Sequence, residues 1–140
     1  MNRLPAEKPA PIIGMMMEGM SIRAITRMTG VSKNTIAKIL ADAGRACAEY
    51  QDRSLRELPC KRLQLYVVSS FIYAKAKNVP DNKVGEAGDV RTRTAIDANT
   101  KLIASWFVGD RSGASARIFV SDLASCLTHR VQITTEGHKA

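Results

Sequence analysis

The chain is poor in the residues that build disulfide frameworks and metal centres. Its 140 residues include three cysteines, Cys47, Cys60 and Cys126, and two histidines, His129 and His138. The cysteines are odd in number, widely spaced and without a Cys-x-x-Cys pair, so neither a disulfide framework nor a zinc site is suggested. They read as reduced thiols in a cytosolic protein. Serine or cysteine nucleophile schemes need a histidine beside an orienting group, and no spacing here supplies one. His129 reads as a helix C-terminal residue favoured by the dipole, and His138 as a side chain of a frayed end. Long apolar runs are lacking too. Pro5, Glu7, Lys8, Pro9 and Pro11 interrupt the N-terminus where a signal peptide would be apolar, and no stretch reaches the length of a membrane span. The expectation is a cytoplasmic protein with no membrane partner.

Acidic residues are the other shortage. Twenty-one Lys and Arg face thirteen Asp and Glu, giving a net charge of +8 and a pI near 9.8. The excess is spread over both halves, with nine basic and six acidic side chains in residues 1 to 60 and twelve and seven in residues 61 to 140. Such a balance favours polyanions through phosphate contacts and counterion release, without distinguishing DNA from RNA. A hydrophobic content of 45% is enough for a real core, in one medium domain or two small ones.

What the chain does have is a pair of short amphipathic segments in residues 21 to 43. Ser21 is a good N-cap, Ile22, Ile25 and Met28 repeat at helical spacing, and Gly30 supplies the left-handed residue of a turn. Ser32 can cap a second helix with Ile36, Ile39, Leu40 and Ala43 on one face and Asn34, Ala37 and Lys38 on the other. Thr26 is small enough for the two helices to cross closely near the turn. This is the pattern of a helix-turn-helix. In such a module the N-terminal residues of the second helix meet base edges, which makes Ser32, Lys33, Asn34, Thr35 and Lys38 contact candidates, with Arg23 and Arg27 placed for the backbone. An ordinary helical hairpin with solvated charges is the bland alternative. Spacing, caps and the basic exposed face together favour double-stranded DNA.

The flanking segments are expected to extend this organisation. Residues 12 to 19 read as a preceding helix whose methionines fill a core, and residues 44 to 59 as a polar helical connector ending at Pro59 with Tyr50, Leu55 and Leu58 as anchors. Beyond Cys60 the pattern turns extended. Strands are expected over 62–74, 90–97 and 101–109, the last two joined by Ala98-Asn99-Thr100, then a helix over 115–130 and a short strand over 131–135. The order is β-β-β-α-β, and the fold class α+β, with units over 1–59 and 60–140. Asp97 and Asp110 are expected to cap turns, and Asp122 to sit on a solvated helix face.

These segments together resemble the N-terminal part of an insertion sequence 1 family transposase. The likeness rests on the opening Met-Asn-Arg-Leu-Pro with Glu7 and Lys8, on Ser21 to Lys38, on Cys47-Ala-Glu-Tyr-Gln-Asp52 and on Leu58-Pro-Cys-Lys-Arg62. It continues through Tyr73-Ala-Lys, Lys77-Asn-Val-Pro80, Thr94-Ala-Ile-Asp97, Val108-Gly-Asp-Arg111 and Thr134-Thr-Glu-Gly-His-Lys-Ala140. The resemblance implies an N-terminal helix-turn-helix DNA-binding domain followed by an incomplete ribonuclease-H-like domain. It also implies DNA transposition or recombination, a bacterial, nucleoid-associated setting, and pairing with itself or with a full-length transposase.

In the intact family three carboxylates hold Mg²⁺ ions that activate a nucleophile. Aligned on Cys60-Lys-Arg62 and Ser70-Phe71, the first acidic position is Tyr66 here, and a neutral phenol does not replace a carboxylate as a ligand for a hard ion. The second position is Glu136, and the third lies beyond Ala140. Arg91 and Arg93 stand where the family has tryptophans. The expectation is therefore a DNA-binding derivative without a metal cofactor or catalytic residues of its own, the alternatives being a regulator that competes for element ends and an active Mg²⁺-dependent transposase.

Overall fold

The structure, a computed structural model, describes residues 9–135; Glu136 and His138 lie outside them. It is a mixed α+β chain that divides into two compact units between Ser54 and Leu55.

The first unit is three helices. Helix α1 spans Pro9–Met17, starting three residues earlier than expected, because prolines in a first turn lack only N–H groups that a helix leaves unpaired anyway. Helix α2 spans Ile22–Thr29. Ser21 caps it, its Oγ accepting from the Ala24 N–H at 3.2 Å. Gly30 ends it in the left-handed region at φ 70°, donating its N–H to the Thr26 carbonyl at 2.9 Å. Thr29 spans the turn, its hydroxyl donating to the Ile25 carbonyl at 2.7 Å and accepting from the Val31 N–H at 3.2 Å.

Helix α3 spans Lys33–Ser54 without a break, so the expected connector is largely the continuation of the same helix. At 1.5 Å per residue its 22 residues extend about 33 Å. Ile12, Ile25, Val31 and Ile36 form the core of this unit, with Met15, Met16, Met20, Ile22 and Ile39 packed around them. Met28 and Leu40, expected on the packed face, are 64% and 50% exposed, because short helices around so few buried residues cover only a narrow stripe. Tyr50, expected as an anchor, is exposed as well.

The second unit is a four-stranded sheet with one packed helix. Strands β1 (Arg62–Ile72), β2 (Gly88–Asp97) and β3 (Ile103–Gly109) pair antiparallel in succession, and β4 (Gln132–Thr135) pairs parallel to β1, giving the order β3-β2-β1-β4. Strand β1 stops two residues before its expected end, where Tyr73 turns to φ 64°. Lys101, at φ 65°, likewise delays β3 to Ile103.

Helix α4 spans Gly113–Cys126 rather than running to Arg130. Leu127 is extended and bridges to Leu58, so His129 lies beyond the helix, its Nδ1 2.7 Å from the Thr128 hydroxyl. Phe119 and Leu123 of α4 pack with Leu63, Ala95 and Ala104 of the sheet and with Cys60. On the alternate positions of the strands, Tyr66, Val68, Trp106 and Val108 are between 36% and 60% exposed.

Candidate nucleic-acid interface

The turn between α2 and α3 fixes how the polar side chains of the first unit are presented. Ile25 and Ile36 are fully buried on the inner sides of the two helices, which directs Arg23 and Arg27 on α2 and Asn34 and Lys38 on α3 outward; these four, and Lys33 at the start of α3, are exposed. No acidic residue lies in the first turn of α3. Of the seven candidate residues, those five and Ser32 are exposed in one compact unit.

Ser32 and Thr35 have structural duties instead. The Ser32 hydroxyl accepts from the Thr35 N–H at 3.2 Å and lies 2.9 Å from the Thr35 hydroxyl, while its carbonyl takes the Ile36 N–H at 3.0 Å. The pair starts the helix, and Thr35 is half-buried.

Lys38 is not isolated. Its ammonium contacts the Asp42 carboxylate at 2.8 Å, and Arg45 reaches the same carboxylate from the next turn. The hydrogen bond from Lys38 is the leading cause that holds the Asp42 carboxyl below its ordinary range. All three side chains are substantially exposed. Sequence alone did not single out Asp42 and Arg45, although Asp42 stands four residues after Lys38 and three before Arg45, both helical ion-pair intervals.

The carboxylates of the second unit are each engaged separately. Asp97 accepts from the Thr100 hydroxyl at 2.7 Å and the Thr100 N–H at 2.9 Å, and those bonds lower its pKa. Asp110 accepts from the hydroxyls of Ser112 and Ser115 and from the Ser112 N–H, which hold its pKa down to about 2. Both cap turns as expected. Asp122 is on an exposed position of α4, as expected, and its carboxylate in addition accepts from the buried Ser105 hydroxyl at 2.6 Å.

Tyr66 sits in mid β1 opposite Thr94, on the strand positions that alternate with the packed ones. No three His, Cys, Asp or Glu side chains converge on one point among the described residues. Among the described residues Asp97, Asp110 and Asp122 serve separate local bonds, and Tyr66 presents a phenol in mid β1.

Arg91 and Arg93 occupy the α4-packed side of β2. Arg91 donates to the Ser69 hydroxyl. Arg93 is 4% exposed, and its Nη1 has no hydrogen-bond partner among the described residues.

The class these features define is a mixed α+β chain with a basic, capped helix pair and a separate sheet unit. No protein-family model and no curated protein matches the chain. No helix of the described residues is long and apolar enough to cross a membrane.

Proposed function

We propose that the chain is a double-stranded DNA-binding protein derived from an insertion sequence 1 family transposase, with a helix-turn-helix as its binding module and no strand-cleaving activity. The observation that carries this reading is the exposure of Lys33, Asn34 and Lys38 at the start of α3, with Arg23 and Arg27 on the helix before it. A capped helix of this kind fits the major groove. Asparagine pairs bidentately with adenine, lysine donates to guanine or phosphate, and the flanking arginines meet the backbone.

The ribonuclease-H-like reading of residues 60–140 is supported by the strand and helix order, β-β-β-α-β. With Tyr66 at the first acidic position, the chain binds DNA without cutting it.

The test is equilibrium binding of the purified chain to a labelled duplex bearing an insertion sequence 1 family end and to a scrambled duplex, at two salt concentrations. Preferential binding that Asn34→Ala abolishes is the expected result. Failure to bind either duplex at low salt overturns the reading. Mg²⁺-dependent strand cleavage by the same preparation overturns its non-catalytic half.

A further inference from the structure

Helix α3 carries one more cation on its DNA-facing side than the sequence reading assigned, and a carboxylate between the cations. At 100° per residue, Asn34, Lys38 and Arg45 lie within about 40° of one another, on the side of α3 away from buried Ile36. Asp42 lies within about 60° of Arg45 on the same side. Arg45 is about 16 Å further along the axis than Asn34, at 1.5 Å per residue. The major groove is only about 12 Å wide, so a helix seated with Asn34 at base edges brings Arg45 out to the phosphates at the groove wall.

We propose that the DNA-binding stripe of α3 extends to Arg45 and that Asp42, which holds both Lys38 and Arg45, is a built-in competitor for the phosphates. This rests on the DNA-binding reading above. Binding transfers Lys38 and Arg45 from one shared carboxylate to the backbone and leaves that carboxylate facing phosphates. The exposed ion pairs give up their cations readily, because solvent screens them in the free chain. Repulsion between Asp42 and the backbone is then the larger part of the effect, and it acts on every DNA sequence alike.

The experiment is a salt series of anisotropy titrations on a random-sequence duplex with the full chain and its Asp42→Asn, Arg45→Ala, doubly substituted and Asp52→Asn variants. Asp52→Asn makes the same charge change ten residues further along α3 and separates the local effect from net charge. Asp42→Asn is expected to bind about three- to tenfold tighter at low salt, and more tightly than Asp52→Asn. Arg45→Ala is expected to bind weaker on all sequences and to lower the slope of log affinity against log salt by about one. In the Arg45→Ala background most of the gain from Asp42→Asn is expected to remain, because repulsion of Asp42 by the phosphates does not need Arg45.

Two results overturn the proposal while the wild type binds: Asp42→Asn no tighter than Asp52→Asn, or Arg45→Ala with affinity and slope unchanged. A wild type that binds no duplex overturns the DNA-binding reading and this proposal together, and is recognised by the absence of any titration to compare. Far-UV circular dichroism confirms that each variant keeps its helices, and Asp42→Ser replaces Asp42→Asn if that variant loses them.

Discussion

The Ser105 hydroxyl, on a side chain 2% exposed, donates to the Asp122 carboxylate at 2.6 Å and so ties β3 to α4. The two partners differ in what their loss would leave behind. Asp122→Ala strands a buried hydroxyl and is expected to cost about 1–3 kcal/mol, whereas Ser105→Ala leaves a carboxylate that water reaches and costs less. Urea unfolding followed through Trp106, the chain's one tryptophan, gives both values. Equal losses, or a larger loss for Ser105→Ala, contradict the asymmetry.

Two glycines are sensitive for opposite reasons. Gly30 has φ 70° and open space where a Cβ would go, so Gly30→Ala costs backbone conformation alone, about 1 kcal/mol. A Cβ at Gly109 would fall 2.6 Å from a Phe107 ring carbon and 2.9 Å from the Ser115 Oγ. Gly109→Ala therefore forces side chains to shift and is expected to cost about 1–3 kcal/mol. Amide exchange at Ile25 and Ile36 reads the first, and Trp106 fluorescence the second.

Arg93 is a candidate for stabilisation by removal of charge. Its position lies between Val67 of β1 and Phe107 of β3 in the strand register, and its Nη1 is buried without a partner among the described residues. A buried guanidinium with an unsatisfied N–H donor is costly, while a methionine of similar length keeps the packing. Arg93→Met is expected to raise stability by about 1 kcal/mol in urea. A loss of that size instead would mean that the guanidinium contributes favourably.

The turn before α4 is expected to weaken in acid. Hydroxyl and amide donors favour the charged Asp110, whose pKa of about 2 lies below the ordinary value of 3.8. A depressed folded-state pKa stabilises the folded form above pH 3.8, and that contribution is lost as pH falls toward about 2. A carboxyl titration followed by NMR should have its midpoint near 2 at Asp110. Asp110→Asn should flatten the stability profile over the same interval, and a midpoint near 3.8 would remove the basis for it.

The legible parts of the fold were those written in local chemistry. Ser21, Gly30 and Ser32 mark caps and a turn through their own side chain or its absence, and the change from helical to extended patterning after Cys60 marks the sheet. Periodicity does not say how wide a face the neighbouring helices cover, and so it places Met28 and Leu40 in a core that excludes them. The partner of Asp122 stands on β3, 17 residues earlier in the chain, a distance across which no local pattern reports. For the candidate interface, Asn34 and Lys38 are readable as outward-facing, whereas Ser32 and Thr35 spend their hydroxyls on the helix start. The ion pairs of Asp42 were readable in principle from the three- and four-residue spacings.

The unbroken course of α3 from Lys33 to Ser54 makes angle as important as distance along it. One residue inserted between Lys38 and Arg45 would advance the rest of the helix by about 1.5 Å and rotate it by about 100°. Asn34 and Lys38 would keep their direction while Arg45 swung to a different side. An insertion of seven residues, close to two full turns, would lengthen the rod and nearly restore the phase. Which cations act together is thus set by a count of residues along one helix, and the insertion of a single uncharged residue is enough to separate them.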